Sequence, residues 1–157
     1  MSSEETQLLI RRIKEGTVID HIKAGEALRV LDILDITGKE GELVSVAMNV
    51  PSSKLVTKDV VKVANRFLKP EETDKLALVA PAASVNIIRN YRVAEKRKVE
   101  LPEVFKGILK CPNPTCISNV KSEPIVPTID VVDKEAPILK CRFCQRLITQ
   151  NDNLVIV

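Results

Sequence analysis

The sequence contains no tryptophan, one tyrosine, three phenylalanines and one histidine, and each scarcity narrows the function. Single-stranded nucleic-acid binders stack bases on aromatic side chains, and there is little material here for such platforms. The net charge of +3 is too small to argue for nucleic acid by itself. With one imidazole, any mechanism that needs a histidine base must run through His21 in VIDHI; a lone histidine in a strand is most often structural or a surface residue. No G-x-S-x-G or phosphate-loop motif occurs, so an enzyme is not expected. No stretch approaches the ~20 apolar residues that a membrane span requires. The opening MSSEETQLLIRR has acidic residues where a signal peptide would be basic, and no apolar core. A soluble, cytoplasmic protein is the expectation.

The four cysteines are what the sequence does offer. They read Cys111-x4-Cys116, then, after twenty-four residues, Cys141-x2-Cys144. Each pair closes a tight turn that can aim two sulfurs at one centre, and the excursion is long enough for strands that bring the pairs together. Four thiolates satisfy a borderline-soft cation and leave no open position for water, so the expectation is one structural zinc. Two disulfides or an iron site are the alternatives; a reducing cytosol argues against the first.

All four cysteines fall in the last 47 residues, a length too short to bury a sufficient apolar core unaided. The preceding hundred carry enough Val, Ile, Leu and Ala to fold conventionally. Two domains are therefore expected, with a boundary near KRKVELPEVFKG. Along the first, LLIRRIKEG and TVIDHI read as two strands or as a strand after an extended arm. AGEALRVLDILDI reads as a helix with Ala24, Ala27, Leu28, Leu31 and Leu34 on one face. ELVSVAMNVP reads as a strand, and TKDVVKVANRFL as a helix that sets Lys58 and Lys62 on one side. KLALVAP reads as an interior strand and SVNIIRNYRVAEKRK as a longer one. The class is α+β, resembling a split βαβ arrangement whose strand order is not readable. PIVPTIDVV, APILKC and NLVIV read as short strands of a small antiparallel sheet clamped by the metal. Arg92, Lys96, Arg97 and Lys98 crowd the end of the first domain's last strand; such groups can neutralise a polyphosphate or form a solvated face.

In chain order, GTVIDHI, LKPEETDKLALVAPAASVNIIRNY, LPEVFKGILKCPNPTCISN and LKCRFCQ resemble the regulatory chain of aspartate carbamoyltransferase, over nearly the whole sequence. The resemblance implies a ferredoxin-like α/β sandwich that binds nucleotide effectors in residues 1–103 and an antiparallel β zinc domain that contacts the catalytic chain in 104–157. It implies a non-catalytic subunit whose homodimers bridge catalytic trimers in pyrimidine biosynthesis, with ATP and CTP as effectors. It places His21 near phosphate, Asp20 near the sugar, Lys58 and Lys62 among the effector-site lysines, and Lys96 at a phosphate or the ribose. Asn86, Ile88, Tyr91 and Val93 would frame the base, with Ile10 and Ile13 on an N-terminal arm. Since side chains alternate along a strand, Asp20 and His21 can both reach one ligand only at a strand end or bend. The rival readings are a zinc-ribbon nucleic-acid-binding protein and a small enzyme with a structural zinc.

Overall fold

The computed structural model describes residues 11–149, 152 and 155–156; of the strand expected in LLIRRIKEG, Leu8, Leu9 and the arm residue Ile10 lie outside the described residues, and residues 11–15 are not strand. The chain divides into two compact units, 1–100 and 101–157.

The first unit runs β1 (Gly16–Lys23), α1 (Ala27–Ile33), β2 (Val44–Pro51), β3 (Thr57–Ala64), α2 (Pro70–Leu76), β4 (Ser84–Arg89) and β5 (Arg92–Lys98). The sheet order is β2-β3-β1-β4-β5 with every neighbouring pair antiparallel. This is the ferredoxin-like β-α-β-β-α-β arrangement with one strand added at an edge. On one face Ile19, Val61, Val63, Val85 and Ile87 are buried, and the helices lie against it through Ala27, Val30 and Leu76. Each of these Val, Ile and Leu side chains contributes about 1.5–3 kcal/mol of burial. The other face carries Val18, Asp20, Lys62, Asn86 and Lys96, which are only partly covered or exposed.

Three local expectations are corrected. The segment expected as helix, TKDVVKVANRFL, is strand β3 from Thr57 to Ala64 and irregular over residues 65–68. Val60, Val61 and Val63 are β-branched and favour a pleated surface; Asp59 stands on the core-facing side with Val61 and Val63, while Val60 on the opposite side is also buried, which breaks the alternation that marks a strand. KLALVAP is the end of α2 and the turns that follow it, not a strand. Its start was written in LKPEE: Pro70 opens the helix, and Glu72 Oε2 accepts the Lys69 N–H at 2.9 Å. SVNIIRNYRVAEKRK is a hairpin of two strands, turning at Asn90 and Tyr91 with φ of 50° and 65°, the left-handed pair of a type I′ turn.

Helix α1 forms where expected but buries a different stripe. Ala27, Val30 and, just past the last turn, Leu34 are buried, while Leu28 is 63% exposed. It ends as a Schellman turn: the Ile36 N–H donates to Leu31 O at 2.9 Å and the Asp35 N–H to Asp32 O at 3.0 Å, with Asp35 at φ 54°.

The second unit is antiparallel throughout, as expected. Strands β6 (Val104–Lys106), β8 (Thr128–Asp133), β9 (Ile138–Cys141) and β10 (Leu147–Ile148) form one sheet in the order β10-β9-β8-β6, and β7 (Leu109–Lys110) pairs with β11 (Val155–Ile156). Phe105, Leu109, Ile129, Leu139 and Ile148 form its small core.

Candidate functional site

Strand β1 is irregular where its polar residues lie. Ile19 pairs with Val61 and Ile22 with Asp59, so β1 spends three residues where β3 spends two. The extra residue is taken up at His21, whose φ of 57° is left-handed, making a β-bulge. The bulge turns two successive side chains toward one side, the bend that the sequence reading required. Lys58 Nζ donates to Asp20 Oδ1 at 2.9 Å, Asp20 Oδ1 accepts the His21 backbone N–H at 2.7 Å, and His21 Nδ1 lies 3.2 Å from Ser84 Oγ.

Register extends the group across the sheet. Lys62 pairs with Val18, Val18 with Asn86, and Asn86 with Lys96; Lys62 and Lys96 are thus three strand spacings apart, about 14 Å. Lys58 and Lys62 share a face because strand side chains repeat every two residues, not through the helical spacing expected for them. One row of neighbours runs through Asp20 and Ser84, and another through Gly16, Ile88 and Val93. These rows lie about 13 Å apart, so the face has a cationic end and an apolar end. At the apolar end Ile13 and Ile88 are buried, while Tyr91 and Val93 are 51% and 58% exposed. The arm is held there: the Tyr91 N–H donates to Lys14 O at 3.0 Å, and Arg12 Nη2 to Tyr91 O at 3.2 Å. Lys62 Nζ donates to Arg11 O at 3.1 Å.

The electrostatics of this face favour an anion. Burial lowers the pKa of His21; Asp20 opposes that, and Lys58, Lys54 and Lys96 reinforce it. Burial likewise lowers Lys62, against Asp20 and with Arg12. Positive charge is therefore held in a partly dry place with too little negative charge beside it. Asn86 Oδ1 is buried with no hydrogen-bond partner, an acceptor waiting for a donor. Ser84 and Lys54 belong to this group and were missed in the sequence, where nothing local sets them apart; only the register puts Ser84 beside Asp20.

In the second unit the four cysteine sulfurs all lie within 4.8 Å of one another. Cys111 follows β7, Cys116 precedes a short 3-10 turn at Ile117–Asn119, Cys141 ends β9, and Cys144 lies in the loop before β10. Sγ separations are 3.6 Å between Cys111 and Cys144 and 3.7 Å between Cys116 and Cys141. Four sulfurs at roughly 2.3 Å from a central ion are about 3.8 Å apart, whereas a disulfide needs about 2.05 Å. Both loops are braced. Asn119 Nδ2 donates to Cys111 O at 2.8 Å and to Asn113 O at 2.7 Å, and the Cys141 N–H donates to Arg146 O at 3.0 Å. Burial raises the thiol pKa of Cys111 and Cys141. Burial also acts on Cys144, but hydrogen bonds from the Arg146 backbone, Asn113 and Cys111 outweigh it and bring that thiol to about 7. A cation at the centre of the four sulfurs reverses the penalty on buried thiolates. The donor set is soft, tetrahedral and closed, and it fits a metal ion.

Fold and site together define the class: a two-unit α+β chain, with a sandwich whose second sheet face gathers cationic side chains, followed by a small β module whose four thiols fit a metal ion. The model of the aspartate carbamoyltransferase regulatory chain, allosteric domain, matches residues 8–100, and that of the metal binding domain matches residues 103–154. The chain belongs to the family of aspartate carbamoyltransferase regulatory chains, and it is a regulatory rather than a catalytic subunit. It is 55% identical to the regulatory chain of Hyperthermus butylicus, over 92% of this chain and 91% of that one. It is 54% identical to that of Thermofilum pendens, over 93% and 92%, and 49% identical to that of Nitrosopumilus maritimus, over 94% and 96%. The resemblance read from the motifs holds. Among the described residues no helix is long and apolar enough to cross a membrane.

Proposed function

We propose that the chain senses ATP and CTP on the open sheet face of its first domain, residues 1–103, and holds one structural zinc in its second, residues 104–157. It acts as a homodimer that bridges trimers of the catalytic chain of aspartate carbamoyltransferase in the cytoplasm and adjusts entry into pyrimidine biosynthesis. The observation that carries this reading is the two-ended sheet face. Asp20, His21, Lys58, Lys62 and Lys96 gather charge suited to phosphates and sugar, and Ile13, Ile88, Tyr91 and Val93 lie toward the end suited to a base. The polarity of the face matches a nucleotide, which is apolar and flat at one end and anionic at the other. Asn86, between the two rows, offers an unpaired acceptor to the ligand.

Zinc suits the closed four-thiolate set, where it would hold the second domain together and leave no position for a reacting water. The test is calorimetric titration of the zinc-loaded full chain with ATP and CTP, followed by gel filtration with the catalytic chain. Saturable binding of both nucleotides and co-elution are expected. A chain that binds neither nucleotide, or never co-elutes, refutes the reading.

A further inference from the structure

We infer that Asp59 is the positioning residue of the anion end of the sheet face: from beneath the sheet it fixes the bulged backbone that presents Asp20, His21 and Lys58. The inference rests on the reading of this face as the nucleotide site. Asp59 is fully buried, follows Lys58 on β3, and points to the helix side while Lys58 points to the open side. Its Oδ2 accepts the N–H groups of Gly25 at 2.9 Å and Ala27 at 3.0 Å, and its Oδ1 accepts the N–H of Asn49 at 2.9 Å. One carboxylate thus ties the turn that leaves β1, the first residue of α1 and the left-handed residue Asn49 of β2, at φ 60°.

The position on β3 explains why a carboxylate is needed there. On one side Ile19 and Ile22 of β1 pair with Val61 and Asp59; on the other, Ala47 and Val50 of β2 pair with Val60 and Lys58. Both neighbours therefore insert an extra residue at the same level of β3. A bulge leaves backbone groups outside the ladder, and a buried N–H without a partner is costly. A single carboxylate has the lone pairs to accept all three donors. An amide keeps one oxygen and turns two donors toward N–H groups that are themselves donors. The β1 bulge needs its exit held, because His21 stands only four residues before Gly25, and it is this bulge that puts His21 and Asp20 on one side.

His21 is the only histidine, so one imidazole resonance reports the site with or without ligand. In the zinc-loaded full chain, Asp59→Asn should displace that resonance and move its titration midpoint up toward the ordinary value, and weaken ATP about tenfold. A carboxylate that merely stabilises the fold would lower Tm and leave the titration of the folded chain in place; that result overturns the inference. Should Asp59→Asn not fold, Asn49→Ala decides. It strains the left-handed residue of an exposed edge strand and loosens one of the three donors, so the same displacement is expected in smaller measure, and an unmoved His21 refutes the positioning role. Lys58→Met separates the two readings. A wild-type chain that does not bind ATP, or a Lys58→Met chain that binds it unchanged, overturns the nucleotide reading, while the ligand-free titration of His21 still decides the role of Asp59.

Discussion

Replacing Lys58 by methionine keeps the length of the apolar stem and removes one charge from the cationic end of the sheet. Lys58 Nζ lies 2.9 Å from Asp20 Oδ1, and the two side chains are only 15% and 24% exposed. In the free chain the loss lies between the ~0–1 kcal/mol of an exposed pair and the ~3–5 kcal/mol of breaking a buried one, so about 1–2 kcal/mol of stability is expected to go. A bound triphosphate loses more. A desolvated contact between ammonium and phosphate is worth roughly 2–5 kcal/mol, and the residual exposure of this pair places it near 2. The uncovered Asp20 carboxylate then repels the phosphate by about 1 kcal/mol, the Coulomb energy of unit charges some 6 Å apart at a dielectric between protein surface and water. The sum, about 3 kcal/mol, is roughly a hundredfold in Kd. Calorimetry with ATP at pH 7 measures it, with circular dichroism to establish that the variant is folded. Adding Asp20→Asn removes the repulsion and should recover about fivefold of the loss. A folded Lys58→Met chain whose Kd stays within about twofold of wild type refutes the reasoning, because a phosphate cannot then lie at this end of the sheet.

Three further outcomes are expected. Elemental analysis should find one zinc per chain, and Cys141→Ser should lose it and melt the second unit while circular dichroism and amide protection of the first persist; protection lost throughout would contradict two separate units. His21 titrates below 6.5 in the folded chain, so the unfolded chain binds the proton more readily, and His21 costs stability as pH falls through 6.5 toward the folded value. A bound anion raises that value, so nucleotide affinity should strengthen as pH falls from about 8 to 6, and a pH-independent affinity would remove His21 from the phosphate end. Gly16→Ala should destabilise the first unit by about 3 kcal/mol or more, seen as a lower Tm. At φ 140° an added Cβ would stand 2.1 Å from Val63 O.

How much was legible depended on whether the signal was local. Cysteine spacing is local, and the four thiols it singles out are those that the structure brings within 4.8 Å of one another. The capping signal in LKPEE was also local, but the apolar run that follows it outweighed it. The misreading of β3 has a different origin: an acid, Asp59, stands on its core-facing side and a buried valine, Val60, on the other, so the alternation is broken, and Val60, Val63, Ala64 and Phe67 happen to fall at helical intervals. The side-by-side placement of Lys58 and Lys62 survived that error only because residues four apart share a face in both structures. Partners supplied by register, such as Ser84 opposite Asp20, leave no mark in the neighbouring sequence. Asp59 did leave one, an acid inside a β-branched run, which is a poor place for a charge unless something buried needs it.

β1 is the middle strand of five, bonded on one side to β3 and on the other to β4. Asp20, paired with Ser84 of β4, and His21, in the bulge, stand at the end of the stretch of β1 that is held on both sides. That stretch, residues 16–19, cannot fray separately, as it would on an edge strand or a loop; opening it requires the separation of strands on which the whole unit depends. On the proposed reading, a nucleotide held at the end of that stretch draws on the global unfolding equilibrium, and occupancy raises the stability of the central strands as well as that of the bulge. Amide exchange along β1 would then slow with nucleotide concentration by the same factor as exchange in the neighbouring central strands. The proposed receptor surface is, in effect, anchored to the keel.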